Sequence, residues 1–243
     1  VDTYQRRHEI EMLEQSRLNI LEKCAPMQYL QEDADRMWKE YKRQDGFVLI
    51  ARNLYSKAQD SKSGSDYNNA YQFCLKTKDC IENENEKLSV AFIEVFLHIY
   101  FQWRIRRYIH SEASELIDWE LIHNFSSAIV GSVRSKNDPF YNYLLAIAHA
   151  HLDDWPSANI LFDGLRRLGI PSRILYEPRD FLMGPKGNMQ SFQGMLKKGA
   201  RDQFIHIQDL NADFLLNRGE NWGREGEIEH VYIRFSFGGP WAT

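Results

Sequence analysis

Apolar residues recur every three or four positions through the first 170 residues. Past a stretch broken by Pro178, Gly184, Pro185 and Gly187, they fall in short alternating or apolar runs, at 191–196, 203–207, 212–216 and 230–237. A helix gathers residues three or four apart onto one face, and a strand gathers every second residue. The change of period therefore predicts helices first and a compact group of strands after them. The expected class is α+β: an α-helical repeat array of antiparallel helix hairpins with a small C-terminal β-barrel. Three regions follow: helical repeats over 1–171, a linker over 172–189 and a barrel over 190–243.

The helical periodicity predicts eight helices, near 2–23, 28–44, 47–60, 66–82, 87–110, 113–133, 139–153 and 155–169. Pro26 separates the first two, and the Ser-Lys-Ser-Gly-Ser-Asp joint at 61–66 supplies a turn and an N-cap. Asp138-Pro139 reads as a cap followed by proline at the first helical position, where a missing N–H is harmless. Tyr141, Leu145, Ala148 and Leu152 form one stripe of that helix. After Asp153-Asp154-Trp155-Pro156, the next helix presents Ala158, Leu161, Phe162, Leu165 and Leu168, and stops at Gly169.

At 243 residues, 43% hydrophobic and 26% charged, the chain can bury a sizeable core without staples. Cys24, Cys74 and Cys80 fall in apolar helical patterns as an odd set, which fits free thiols in a reducing compartment. No apolar run reaches the roughly 18 residues of a membrane span, and no signal-peptide pattern opens the chain, so a cytoplasmic setting is expected. The chain begins with Val1 rather than methionine and runs straight into a charged helical pattern, which suggests a piece of a longer polypeptide. A net charge of -4 supplies no global field for nucleic acid, so any such contact must be local.

Ala146 and Ala158 lie twelve apart, followed by Phe162, Leu165 and Pro171. This small-residue and aromatic spacing resembles a tetratricopeptide repeat, and Ala51, Leu54, Tyr55, Ala70 and Cys74 form a looser echo of it. In the tail, Phe192 with Gly194, Phe204 with Ile205, Asp213 with Phe214, then Gly226, Val231 and Phe235, and finally Gly239-Pro240-Trp241-Ala242 resemble the strand order of cold-shock and related OB-type barrels. A helical array followed by such a barrel resembles the C-terminal part of STAND-class NTPases, including sterile-α-motif antiviral factors and bacterial immune homologues. That resemblance implies a region that senses or restrains, with nucleotide hydrolysis carried elsewhere.

OB-type barrels that bind single strands stack bases on sheet-face aromatics. This chain keeps Phe204 and Phe214, read either as that platform or as core. It has Ala200, Asp202, Gln203 and Leu216 where the family carries further aromatics and a basic residue. From 190 to 243, six Lys or Arg (197, 198, 201, 218, 224, 234) face seven Asp or Glu (202, 209, 213, 220, 225, 227, 229), a balance that limits counterion release.

Motifs for catalysis are sparse. Met183-Gly-Pro-Lys-Gly187 lacks phosphate-loop spacing, and no Gly-x-Ser-x-Gly or His-Glu-x-x-His occurs. His149 and His151 sit two apart, which sends them to different helix faces and supports no metal site. Arg104 and His110, within Trp103–His110, resemble the Arg-x(4-6)-His motif of HEPN ribonucleases, which implies metal-independent general acid–base chemistry. The same arginines also complement a negative helix end, and with Arg134 and Lys136 they form a modest basic patch.

The expected function is a non-enzymatic regulatory or sensor region of a larger protein, without cofactor, metal or membrane contact. It binds a protein partner, other domains of the same longer chain, or RNA. The candidate RNA- or partner-binding residues are Arg104, Arg106, Arg107, His110, Lys197, Lys198, Arg201, Phe204 and Phe214. The alternatives are an RNA-binding module using the barrel face and the basic helix patch, and a HEPN-like ribonuclease.

Overall fold

The computed structural model describes residues 12–13, 16–17, 27–105, 117–132, 138–168, 180–182, 189–199, 202–216, 223–236 and 239–243. The described residues contain seven helices and a closed five-strand barrel, a mixed α+β fold, and they divide into two compact units, Val1–Trp103 and Arg104–Thr243.

The first unit holds α1 (Met27–Tyr41), α2 (Asp45–Ser61), α3 (Gly64–Asn83) and α4 (Val90–Tyr100). In α1 the buried residues Leu30, Ala34, Met37 and Trp38 fall at helical spacing. Lys42 and Lys62 take left-handed conformations just past α1 and α2, and so turn the chain sharply. Ser63 occupies the N-cap of α3 without a side-chain cap. The polar joint is held instead by Asp66, which accepts from Ser61 Oγ at 2.7 Å and pairs with Lys57 at 3.2 Å. Those two donors hold the Asp66 carboxyl below the usual range. Ser89 Oγ accepts from the Phe92 amide at 3.2 Å to start α4. Phe92, Phe96, Leu97, Ile99 and Tyr100 of α4 are all buried, as suits a helix enclosed by its neighbours. Of the helix expected over 87–110, α4 continues directly into a π-helical turn at Phe101–Ile105, and 106–110 lie outside the described residues.

Gly46 sets the approach of α2 to α1. A Cβ there would lie 2.6 Å from Ala34 Cβ and 2.7 Å from Ala34 Cα, well inside contact distance and partly against backbone. Gly46→Ala is expected to destabilise the first unit by about 1–3 kcal/mol through overpacking. Urea unfolding checks this, and Ala34→Gly in the same chain should recover part of the loss.

The second unit opens with α5 (Trp119–Val130), α6 (Pro139–His151) and α7 (Trp155–Arg167). Each begins on an aspartate cap: Asp118 accepts from Leu121, Asp138 from Phe140 with Pro139 following, and Asp154 from Ser157. Ala146 and Ala158, the twelve-apart pair, are fully buried in the α6–α7 hairpin, and Tyr143 meets Phe162 edge-on at 6.3 Å.

The strands are β1 (Asp180–Phe181), β2 (Ser191–Lys198), β3 (Gln203–Ile207), β4 (Ala212–Leu216), β5 (Ile228–Ser236) and β6 (Gly239–Ala242). Antiparallel pairs β2–β3, β3–β4, β2–β5 and β5–β6, together with the parallel pair β4–β6, close a ring of five, and β1 adds two residues to β5. Gly194 allows the close crossing of β2 over β3, since a Cβ there would come within 2.5 Å of Ile205 Cγ1. Phe192, Leu196, Ile205, Phe214, Val231 and Phe235 fill the interior.

Helices α5–α7 belong to the same compact unit as the barrel. The reason is aromatic packing between α7 and the barrel interior. Phe162 lies parallel to Phe235 with ring centroids 6.0 Å apart, and Trp155 meets Phe214 edge-on at 5.2 Å. Gly239, at φ +112°, brings its backbone against the Arg166 guanidinium of α7. The short strand β1 also falls inside the expected linker.

Candidate functional site: the outer face of the barrel

Side chains alternate across a strand, and residues paired in register share a face. Phe204 is opposite Leu215 whereas Phe214 is opposite Ile205, so the two phenylalanines point to opposite sides of the sheet. Phe214 is 1% exposed and belongs to the barrel interior; Phe204 is half-buried on the outside. The pair therefore forms no joint stacking platform, and Phe214 leaves the set of candidate binding residues. Leu216 also faces inward.

The register around the barrel builds a different row. Lys197 is opposite Phe204, Phe204 opposite Leu215, Leu215 opposite Trp241, and Trp241 opposite Arg234. One ring of outward positions thus runs cation, aromatic, aliphatic, aromatic, cation. Phe204, Leu215, Trp241 and Arg234 are half-buried and Lys197 is exposed, with Lys198 exposed beside it. Trp241 is held in place by its indole Nε1–H, which donates to Ser236 Oγ at 2.7 Å, and Ser236 in turn donates to the Gly239 carbonyl at 3.1 Å.

The neighbouring row carries an acidic clasp. Asp213 Oδ1 accepts from Lys197 Nζ at 3.0 Å and lies 2.7 Å from His206 Nδ1. Partial burial alone would raise the Asp213 carboxyl; the bonds from Lys197 and His206 outweigh it and hold the group below the usual range. Lys197 is thus partly neutralised within the barrel.

A second cluster lies where α5, α6 and α7 meet the barrel. The Trp119 and His151 rings are parallel with centroids 3.7 Å apart, and His151 lies 5.7 Å from Phe235. His151 Nε2 and Trp155 Nε1 are enclosed and make no hydrogen bond. Burial lowers the His151 pKa to about 3, so the ring is neutral. His149 turns the other way, its Nδ1 3.0 Å from Asp154 and its ring edge-on to His123 at 4.7 Å. The described residues include no group of three or more His, Cys, Asp or Glu placed to hold a metal ion, and no helix long and apolar enough to cross a membrane.

Of the remaining candidates, Arg104 is half-buried in the π-helical turn. Arg106, Arg107, His110 and Arg201, together with Arg134 and Lys136 of the proposed basic patch, lie outside the described residues. The sequence reading did not place Leu215, Trp241 and Arg234 in this row. The signal that finds them is parity counted along each strand from a buried residue, combined with the pairing of β4 on β6, which no local pattern contains. Comparison with known families, curated proteins and solved structures found no match to this chain.

Proposed function

We propose that the chain is a non-enzymatic regulatory or sensor region of a longer protein, presenting a recognition surface to a protein or RNA partner. The observation that supports this best is the outward ring Lys197–Phe204–Leu215–Trp241–Arg234. The barrel interior is filled by its own side chains, so recognition falls to the outside. In this reading the α6–α7 hairpin is tetratricopeptide-like, and the region plays the restraining part of a STAND-type architecture in the cytoplasm. These assignments rest on resemblance.

The ring favours the RNA reading for one reason: two aromatic faces flanked by cations suit stacked bases and their phosphates. Because Lys197 already pairs with Asp213, few phosphates are neutralised. Binding of a fluorescein-labelled 12-nucleotide oligouridine, read by anisotropy, is expected to fall with salt at a log–log slope of only about -1 to -2, corresponding to about two phosphate contacts. Trp241→Ala and Phe204→Ala should each weaken it by roughly 5- to 150-fold, at about 1–3 kcal/mol per stacked base. Equal binding by both variants would remove RNA from this face and leave the protein-partner reading. The ribonuclease alternative gains no geometry, since His110 lies outside the described residues.

A further inference from the structure

We propose that the β2–β5 face of the barrel, in the rows beside Lys197 and Arg234 of the ring above, binds a second copy of this chain. Three register pairs line it: Ser191 with Tyr232, Gln193 with His230, and Met195 with Ile228. Ile228 is 65% exposed, Met195 49% and Tyr232 39%, so bulky apolar side chains stand in solvent at both ends of the face. The centre is polar, with Gln193 Nε2 3.1 Å from His230 Nε2. None of the six residues is Asp, Glu, Lys or Arg.

The occupant follows from the pattern. A two-fold axis running parallel to the strands lays each β2 over the partner's β5 and keeps the rows in step. Met195 then meets Ile228 of the partner subunit, Gln193 meets the partner's His230, and Ser191 meets the partner's Tyr232, each contact occurring twice. Apolar meets apolar and amide meets imidazole, and on a chain of net charge -4 this neutral face meets itself without repulsion. One row further out, Lys197, which also holds Asp213, comes over the turn of the partner subunit that carries exposed Arg224, Glu225 and Glu227, a turn of net opposite charge at the rim. Two sheets stacked this way sit about 10 Å apart, the ordinary spacing of packed sheets. Six central residues are few beside the about 20–30 a side of a standard interface, so the dimer is weak and depends on concentration.

Sedimentation velocity of the unaltered chain from about 10 to about 500 μM, where micromolar association is read, is expected to show the mean mass rising from monomer toward dimer. Ile228→Lys and Met195→Glu should each remove the rise while leaving the melting temperature and circular dichroism unchanged. An equimolar mixture of the two variants should restore it, because Lys at 228 of one copy then meets Glu at 195 of the other. Ile160→Lys, an exposed change on α7 away from this face, should dimerise like the unaltered chain. The proposal is overturned by a monomer at every concentration, by a dimer that survives Ile228→Lys, or by a mixture that stays monomeric. A face that instead shifts on adding the oligouridine probe alone, with no self-association, would assign it to RNA.

Discussion

Phe235→Ala is expected to destabilise the second unit by about 3–5 kcal/mol, the range for deleting a fully buried aromatic side chain. Phe235 sits on β5 with none of its surface exposed. Its ring meets three side chains from the helical hairpin: Phe162 at 6.0 Å, Trp155 at 6.3 Å and His151 at 5.7 Å. Deleting it removes apolar burial and leaves a void that rigid neighbours on both sides cannot close. Helices and barrel should therefore lose stability together, in one shifted calorimetric transition. Helical and sheet circular dichroism bands that melt at separate temperatures in the variant would show that the hairpin and barrel fold independently. Phe235→Leu, which keeps most of the volume, should recover much of the loss.

Acidification gives the second large effect. His151, enclosed beside Trp119 and Phe235, has its pKa lowered by burial from an ordinary 6.5 to about 3. The unfolded chain therefore binds this proton at a higher pH than the folded one does. The contribution to stability is complete above about 6.5, falls by up to about 1.4 kcal/mol for each pH unit below it, and is gone near the folded value. Part of the residue reaches solvent, which reduces the total, and a loss of about 2–4 kcal/mol across that window is expected. Urea unfolding of the chain and of His151→Phe at a series of pH values measures it. The Asp66, Glu84, Asp154 and Asp213 carboxyls are also held low by hydrogen bonds, and they remove stability at the acid end in both proteins. The difference between the two curves isolates His151. Identical slopes between pH 6.5 and 4 would show that its nitrogen meets water in the folded state.

Much of the local structure was legible in the residues. Asp138-Pro139 and Asp154 with Pro156 located the starts of α6 and α7, because a short carboxylate satisfies free amides and proline tolerates the first turn. The runs at 203–207 and 212–216 coincide with β3 and β4, since alternation with β-branched and aromatic residues suits a half-buried strand. Of the two readings of Phe204 and Phe214, platform or core, the core one holds for Phe214 and the joint platform does not form, for a definite reason. They resemble each other in type and in neighbours, but their parity relative to the register is opposite, and register is set between strands.

By itself, then, the sequence determined, among the described residues, most of the helices and the longer strands, where several of them begin, and that a barrel follows the helices; the helix expected over 2–23 lies largely outside the described residues. Those properties depend on caps, turns and periods a few residues long. Tertiary structure alone decided that β4 pairs in parallel with β6 to close the barrel. It decided that Trp241 and Arg234 join Phe204 on one outward ring, and that α5–α7 share a compact unit with the barrel. These are pairings between residues far apart in the chain, chosen by how whole faces fit, and no short window of sequence contains both partners.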